Sequence, residues 1–284
     1  MKTERSIQQI IYGHIVNMGG MHVRQPLPSA DIDYLDPFVL LHHHATVLPD
    51  DRDLRHAGVG AHPHRGFSPV TFLFRGSVRH RDSRLNDSTV HAGGVQWMNA
   101  GMGIVHSERP LSHEQELIQM WVNTPARHKM DPPAYHPLQK EETPTVTSGD
   151  GNVTVWVVTG ELLGAQGPIP TLSPIISATL ELKAGGQIYL PLPTTHNAFL
   201  YLLDGQLQFA DGQTVKGKNF IVLTKDGEGI TLEAVADTRV LLMTGEPIGE
   251  EIVAQGPFVM NSENQIMEAY RDFRMGKMGV LIEE

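Results

Sequence analysis

The sequence contains no cysteine. Disulfide bonds, thiolate nucleophiles, iron–sulfur clusters and cysteine-based zinc sites are therefore excluded, and any metal ion must be bound by histidine, carboxylate or water. Basic residues are also scarce, because 22 Lys and Arg stand against 32 Asp and Glu, which gives a net charge of −10. This acidic balance opposes binding to a phosphate backbone or an anionic membrane surface, so no direct nucleic-acid partner is expected.

Long apolar runs are missing from the sequence as well. No segment approaches the length of a secretory signal or a membrane span, so we expect a cytoplasmic protein without a membrane partner. Hydrophobic residues make up 40% of the chain and charged residues 19%, which is typical of a globular protein with a sizeable core. The residue type that stands out is histidine, which occurs 15 times in 284 residues.

The spacing of glycine and proline indicates an all-β fold. These residues separate short stretches of alternating or β-branched apolar residues, which are typical of strands. In the first half we predict strands at 38–41, 70–75, 88–91, 96–98 and 117–123. In the second half we predict strands at 153–159, 175–182, 186–190, 198–203, 206–209, 219–223, 230–234 and 239–244. Gly205 predicts a tight hairpin at 203–206.

A proline-rich segment at 125–144 carries no strand pattern and separates two similar halves. It predicts an N-terminal domain at 1–140 and a C-terminal domain at 141–284, with a soft boundary. Near the end of the chain, Ser262 and Gln265 form a capping-box pattern. The residues that follow predict one amphipathic helix that ends near Gly276 and carries the apolar residues Ile266, Ala269, Tyr270 and Phe273.

Two pairs of metal-binding residue types share the same spacing. His62 and His64 are separated by one residue, as are His106 and Glu108. On an extended segment, residues two apart point to the same side, so each pair can reach one ion. Nitrogen and oxygen donors without thiolate suit a divalent transition metal and leave one or two coordination positions free. The same four residues could also be polar groups that are hydrogen-bonded at the mouth of a barrel.

The segments around both pairs resemble the cupin motifs, and more closely the version of them found in the pirin family. The matching segments are HPHRGF at 62–67, GVQWM at 94–98 and AGMGIVHSE at 100–108. Further likeness occurs at LDPF 35–38, QMWVN 119–123 and GPFVMN 256–261. The resemblance covers most of the chain.

This resemblance implies a bicupin, in which two stacked jelly-roll-like β-barrels are followed by the C-terminal helix. It implies one divalent metal in the N-terminal barrel, with His62, His64, His106 and Glu108 as ligands. Fe(II) is the expected ion, although the donor set also accepts zinc, nickel, copper, manganese or cobalt. It also suggests a monomer.

The second half lacks an equivalent ligand set, since His196 stands alone where a second pair is expected. We therefore predict a metal-free C-terminal barrel in which His196 is a hydrogen-bonded structural residue. Two features depart from the pirin pattern: Ser68 stands where pirins usually carry Glu, and histidines occupy 42–44. His42 and His44 share a strand face, which allows an auxiliary metal, a pH-sensitive environment or ordinary hydrogen bonding. The isolated His80, His91, His113, His128 and His136 are interpreted as surface or turn residues.

The resemblance supports two functions. In the first, the protein is a quercetin 2,3-dioxygenase-like enzyme that opens a flavonol, or a related enol or catechol, with O2 and releases carbon monoxide. Glu108 would then be the catalytic base, because a carboxylate beside an open metal site can accept the hydroxyl proton of a small aromatic substrate. In the second, the protein is an iron-binding, redox-responsive regulatory module that binds a protein partner without catalysis.

Overall fold

The computed structural model describes residues 3–18 and 20–283 and consists mainly of strands. Within these described residues, three short 3-10 helices occur at Leu54–His56, Ala126–His128 and Lys140–Glu142, and one α-helix, α1, spans Glu263–Arg274. The strands in chain order are β1 (Ile7–Ile11), β2 (His14–Met18), β3 (Met21–Leu27), β4 (Phe38–Val47), β5 (Val59–His64), β6 (Phe67–Arg75), β7 (Ser77–Asp82), β8 (Asp87–His91), β9 (Val95–Asn99), β10 (Ile104–Pro110), β11 (Glu114–Asn123), β12 (Ala134–Leu138), β13 (Thr145–Thr147), β14 (Val153–Thr159), β15 (Glu161–Leu162), β16 (Ala165–Gln166), β17 (Ile175–Leu182), β18 (Gln187–Pro191), β19 (Asn197–Gln208), β20 (Thr214–Lys216), β21 (Asn219–Leu223), β22 (Gly229–Gly245), β23 (Val253–Gln255) and β24 (Phe258–Met260).

The chain forms two compact units. The first unit contains Ile15–Leu27, Pro37–Glu141 and Ile248–Glu284. Its main sheet has the order β12-β9-β6-β11-β4-β3-β2, and a four-stranded sheet has the order β5-β10-β7-β8. Neighbouring strands pair antiparallel from β12 to β3 in the main sheet and throughout the four-stranded sheet. The four-stranded sheet carries all four predicted ligands, two on β5 and two on β10.

The second unit contains Met1–His14, Pro28–Asp36 and Glu142–Pro247. Its nine-stranded sheet follows the order β1-β21-β19-β22-β17-β14-β13, with β18 paired to β22 and β20 paired to β19. Buried aliphatic side chains such as Leu200, Leu232 and Leu242 form one continuous core in this unit. The predicted all-β fold with two cupin domains and one C-terminal helix is confirmed.

Segments at both ends of the chain lie in a different unit from the one that a single boundary near residue 140 would give them. The longest segments of the two units meet between Glu141 and Glu142, and the domain boundary near 140 stays a prediction. However, β1 pairs with β21 in the second unit. Helix α1, which the sequence analysis places in the C-terminal domain, packs in the first unit, because its buried Ile266 and Ala269 join the apolar cluster around Phe258.

The local predictions at Ser262 and Gly205 have different outcomes. The Ser262 hydroxyl accepts the backbone N–H of Gln265 and caps α1, as predicted. Gly205 has the expected positive φ of 82°, but the predicted hairpin at 203–206 is wrong. These residues lie inside the continuous strand β19, where register shifts against β22 mark an irregular, bulged pairing. A positive φ at glycine therefore bends this strand rather than reversing it.

No helix in the described residues is both long and apolar enough to cross a membrane.

Candidate metal centre

Strand pairing brings three of the four predicted ligands together. His62 and His64 lie two residues apart on β5, and His106 lies directly opposite His62 on the antiparallel strand β10. Since side chains alternate across a strand, the three imidazoles project from one face of the sheet. The ligand nitrogens of His62, His64 and His106 all lie within 4.8 Å of one another. The proximity predicted from sequence spacing is thus present for these three residues.

The hydrogen bonds of the triad favour a bound cation. The Nδ1 atoms of His62 and His64 face the carbonyl oxygens of Gly60 (2.8 Å) and Pro257 (3.1 Å), which can only accept. In the neutral form of each ring, Nδ1 therefore carries the proton and Nε2 holds a lone pair. Yet Nε2 of His62 lies 3.0 Å from Nε2 of both His64 and His106. Two nitrogens bound at right angles to one ion at about 2.1 Å lie about 3.0 Å apart, so these residues fit a transition metal.

Burial favours the neutral form of two of these histidines. His64 and His106 are both buried, and burial lowers the pKa of each imidazole well below its ordinary value, with a further contribution from the neighbouring His62. The His64 ring also packs against the rings of Phe67 and Trp121, at centroid distances of 5.0 and 5.5 Å. Neutral and packed imidazoles can bind a metal without first losing a proton or reorienting.

Glu108 has a different environment from the triad. It lies two residues beyond His106 on β10, but the pairing with β5 shifts between the two residues. Its carboxylate oxygens accept hydrogen bonds from the Thr71 hydroxyl (2.7 Å) and the Gln119 amide (2.8 Å). Glu108 is outside the cluster of converging ligand nitrogens. The structure therefore groups three of the predicted ligands, and the role of Glu108 as a fourth ligand stays a prediction.

A cavity of about 330 Å³ lies in the first unit, and Glu108 and Gln119 form part of its wall. Most of the remaining wall is apolar and includes Met21, Val23 and Leu117. The three histidines of the triad are not among the residues that line it. Glu108 therefore lies on the same strand as His106 and also in the wall of a cavity that can hold a small molecule.

The histidines that break the pirin pattern have ordinary hydrogen-bond partners. His42 and His44 share the cavity face of β4, as the alternation predicts. His42 bonds through Nε2 to the Gln25 side chain (2.7 Å), and His44 Nδ1 donates to the carbonyl of His22 (3.0 Å). Among the described residues, neither joins a second metal-binding cluster. Of the alternatives considered for His42 and His44, these contacts correspond to ordinary hydrogen bonding.

Ser68, the other departure from the pirin pattern, is buried on β6. Its hydroxyl donates to the Asn99 side chain at 2.7 Å. In the second unit, His196 is also buried, and its Nδ1 lies 2.8 Å from the Thr244 hydroxyl. This agrees with the structural role predicted for His196.

Sequence reasoning misses two residues behind the triad. His80 and Asp82 lie on β7 and are both buried, so the interpretation of His80 as a surface or turn residue is wrong. His80 lies 3.1 Å from Asp82 and 3.5 Å from His106. The only local signal is the His-x-Asp spacing, because the contact with His106 arises from strand pairing across 26 positions.

Family models and sequence relatives point to one family. The Pirin family model matches residues 20–122, and the model of the pirin C-terminal cupin domain matches residues 177–279. A pirin-like protein of Solanum lycopersicum is 37% identical over 265 residues, which cover 92% of this chain and 88% of the relative. A pirin-like protein of Caulobacter vibrioides is 35% identical over 279 residues, covering 96% of this chain and 99% of the relative.

A solved structure is similar over nearly the whole chain. The crystal structure of a quercetin 2,3-dioxygenase from Acinetobacter baumannii superposes with a TM-score of 0.90 at 33% sequence identity. The match covers 98% of this chain and 100% of that one. With two family models matched in sequence order and the three histidines brought together on β5 and β10, the chain belongs to the pirin family of cupin proteins.

Proposed function

We propose that this protein is a metal-dependent dioxygenase that acts with O2 on a flavonol or a related enol or catechol. The observation that carries the proposal is the position of Glu108, whose carboxylate lines the cavity while its strand also carries His106. Small-molecule pockets span roughly 300 to 1,000 Å³, so a cavity of about 330 Å³ suits one ligand of modest size. The similarity to a quercetin 2,3-dioxygenase supports this substrate class.

His62, His64 and His106 would hold the metal through their Nε2 atoms. A bound divalent ion supplies Lewis acidity, which lowers the pKa of a hydroxyl on the substrate. Glu108 would accept the released proton, and the hydroxyl of Thr71 and the amide N–H of Gln119, which both donate to it, hold its carboxylate in place. Each carboxylate oxygen retains a lone pair for a further hydrogen bond.

The rest of the cavity wall suits a flat, hydroxylated ring. Its apolar side chains exclude water from the faces of a bound ligand, and His44 offers a polar contact. Since Nδ1 of His44 donates to the carbonyl of His22 (3.0 Å), Nε2 is left as an acceptor in the neutral ring. Burial lowers the pKa of His44, which favours that neutral form. A phenolic hydroxyl is a matching donor.

The test is anaerobic loading with Fe(II), followed by quercetin and O2. We expect loss of the flavonol absorbance together with release of carbon monoxide. The Glu108→Gln variant should retain metal but lose at least about 100-fold in turnover, the scale of a general base. The matched control is Glu116→Gln, which changes another carboxylate, one bonded to His43, and should keep its turnover.

Three results would decide against parts of this proposal. Failure to bind any divalent metal would refute the metal site itself. Metal binding without consumption of any flavonol or catechol would favour the regulatory alternative, in which the metal controls binding to a protein partner. Undiminished turnover in Glu108→Gln would show that Glu108 is not the base.

A further inference from the structure

We propose that His80 and Asp82 form a positioning chain behind the metal site, in which Asp82 fixes the tautomer of His80 and His80 fixes the tautomer and orientation of His106. The inference rests on the metal site of the proposed function, but not on the identity of the substrate. It concerns hydrogen bonding to one ligand, so it can be tested by metal binding alone.

Strand pairing places the chain directly beside the triad. Strands β7 and β10 are antiparallel neighbours, with Asp82 opposite His106 and His80 opposite Glu108. His80 Nε2 lies 3.1 Å from a carboxylate oxygen of Asp82, and His80 Nδ1 lies 3.5 Å from Nδ1 of His106. His80, Asp82 and His106 are each at most 2% exposed, so water does not compete for these contacts.

Asp82 is held as an acceptor by a complete set of donors. One carboxylate oxygen accepts the backbone N–H groups of Arg84 (2.8 Å) and Asn86 (3.1 Å). The other accepts the Asn86 amide (2.8 Å) and faces His80 Nε2. Because a carboxylate that receives three donors presents only lone pairs to a fourth group, His80 must carry its proton on Nε2.

The proton on His80 Nε2 determines the state of His106. Nδ1 of a neutral His80 then holds a lone pair, so Nδ1–H of His106 can donate to it. Nε2 of His106 is thereby left unprotonated on the side that faces His62. The other two ligands obtain the same orientation from backbone carbonyls, those of Gly60 and Pro257. Only His106 depends on a side chain, which makes its orientation accessible to mutation.

Tyr135 fixes the plane of the His80 ring. The two rings stack at a centroid distance of 3.9 Å with an angle of 7° between their planes. The Tyr135 hydroxyl is bonded to the Ser88 hydroxyl at 2.8 Å. His80 is therefore held on one face by an aromatic ring and at one edge by Asp82, which is the restraint that a positioning residue needs.

The experiment compares metal binding by the full-length protein and two variants. His80→Phe keeps a ring on Tyr135 but removes both nitrogens, and His80→Gln restores an acceptor for His106 and a donor for Asp82. Affinity for Ni(II) is measured by competition with a chelator, and the Co(II) complex is compared by visible spectroscopy. We expect His80→Phe to bind Ni(II) about 10- to 100-fold more weakly with a shifted Co(II) spectrum. His80→Gln should recover most of the affinity.

The matched control is His43→Phe, which removes another buried histidine that contacts a carboxylate, Glu116 at 3.3 Å. It should leave the affinity unchanged. An equal loss in this control, or an affinity within twofold of wild type in His80→Phe, would overturn the proposal. If His80→Phe does not fold, nitrogen NMR of the wild-type apoprotein reads the tautomer of His106 directly, and a proton on Nε2 refutes the chain. Absence of metal binding by wild type would instead refute the proposed metal site.

Discussion

The number of protons released when the triad binds a metal tests the electrostatics of the site. An ordinary imidazole with a pKa of about 6.5 carries about 0.9 proton at pH 5.5, so three such ligands would release about 2.7 protons per ion. In this structure, burial lowers the pKa of His64 and His106 well below 6.5. The neutral form of these two rings is therefore favoured, and each carries fewer protons at pH 5.5 than an ordinary imidazole. We expect clearly fewer than about 2.7 protons per ion.

The measurement is isothermal titration of the apoprotein with Ni(II) in two buffers that differ in their enthalpy of ionisation. The difference in heat gives the number of protons exchanged with the buffer. A pH of 5.5 limits the contribution from ionisation of metal-bound water, which occurs at higher pH. Release of about 2.7 protons per ion would show that the histidines are protonated in the apoprotein as ordinary imidazoles are, and would refute the effect of burial on the triad.

Three other outcomes are expected. Because the charged forms of His64 and His106 are disfavoured only in the folded chain, apoprotein stability should fall as pH drops below about 6.5; a melting temperature that is constant from pH 7.5 to 5.5 would contradict this. Lys129→Met should destabilise the first unit by about 3 kcal/mol, since the Lys129 ammonium bonds to the carbonyls of Gly66 and Val259 and to the Asn123 side chain; thermal unfolding measures the loss. Leu242→Ala, in the second-unit core, should cost about 2–5 kcal/mol in denaturant unfolding while Ni(II) affinity at 20 °C stays unchanged.

The relation between Glu108 and the triad bears on the choice between catalysis and regulation. A carboxylate that only completes a metal coordination sphere has no need of a cavity beside it. Glu108 lines such a cavity and is held by Thr71 and Gln119, two neighbours on adjacent strands. This arrangement suits a group that exchanges a proton with a ligand in the cavity, and it is the reason the oxygenase is preferred.

The sequence alone determined the features that depend on short-range periodicity. The spacing of His62 and His64 placed both rings on one side of a strand, and the turn-rich alternating pattern predicted an all-β fold. The Ser262 cap predicted where α1 begins, because capping involves only residues within one turn. The resemblance to pirins added the expectation that the motif around His62 and the motif around His106 contribute ligands to a single metal site. Each of these inferences uses residues that are close in sequence or a pattern that is repeated along it.

Tertiary structure decided the features that depend on which strands become neighbours. Antiparallel pairing of β7 with β10 brought His80 and Asp82 behind His106, although no local pattern connects residues 26 positions apart. Pairing of β11 with β6 placed Gln119 beside Thr71, so that both reach Glu108. The packing of α1 within the first unit was likewise set by its apolar face and not by its place in the chain. The absence of cysteine limited the metal ligands to histidine and carboxylate, and strand register then determined which histidines converge and what supports them.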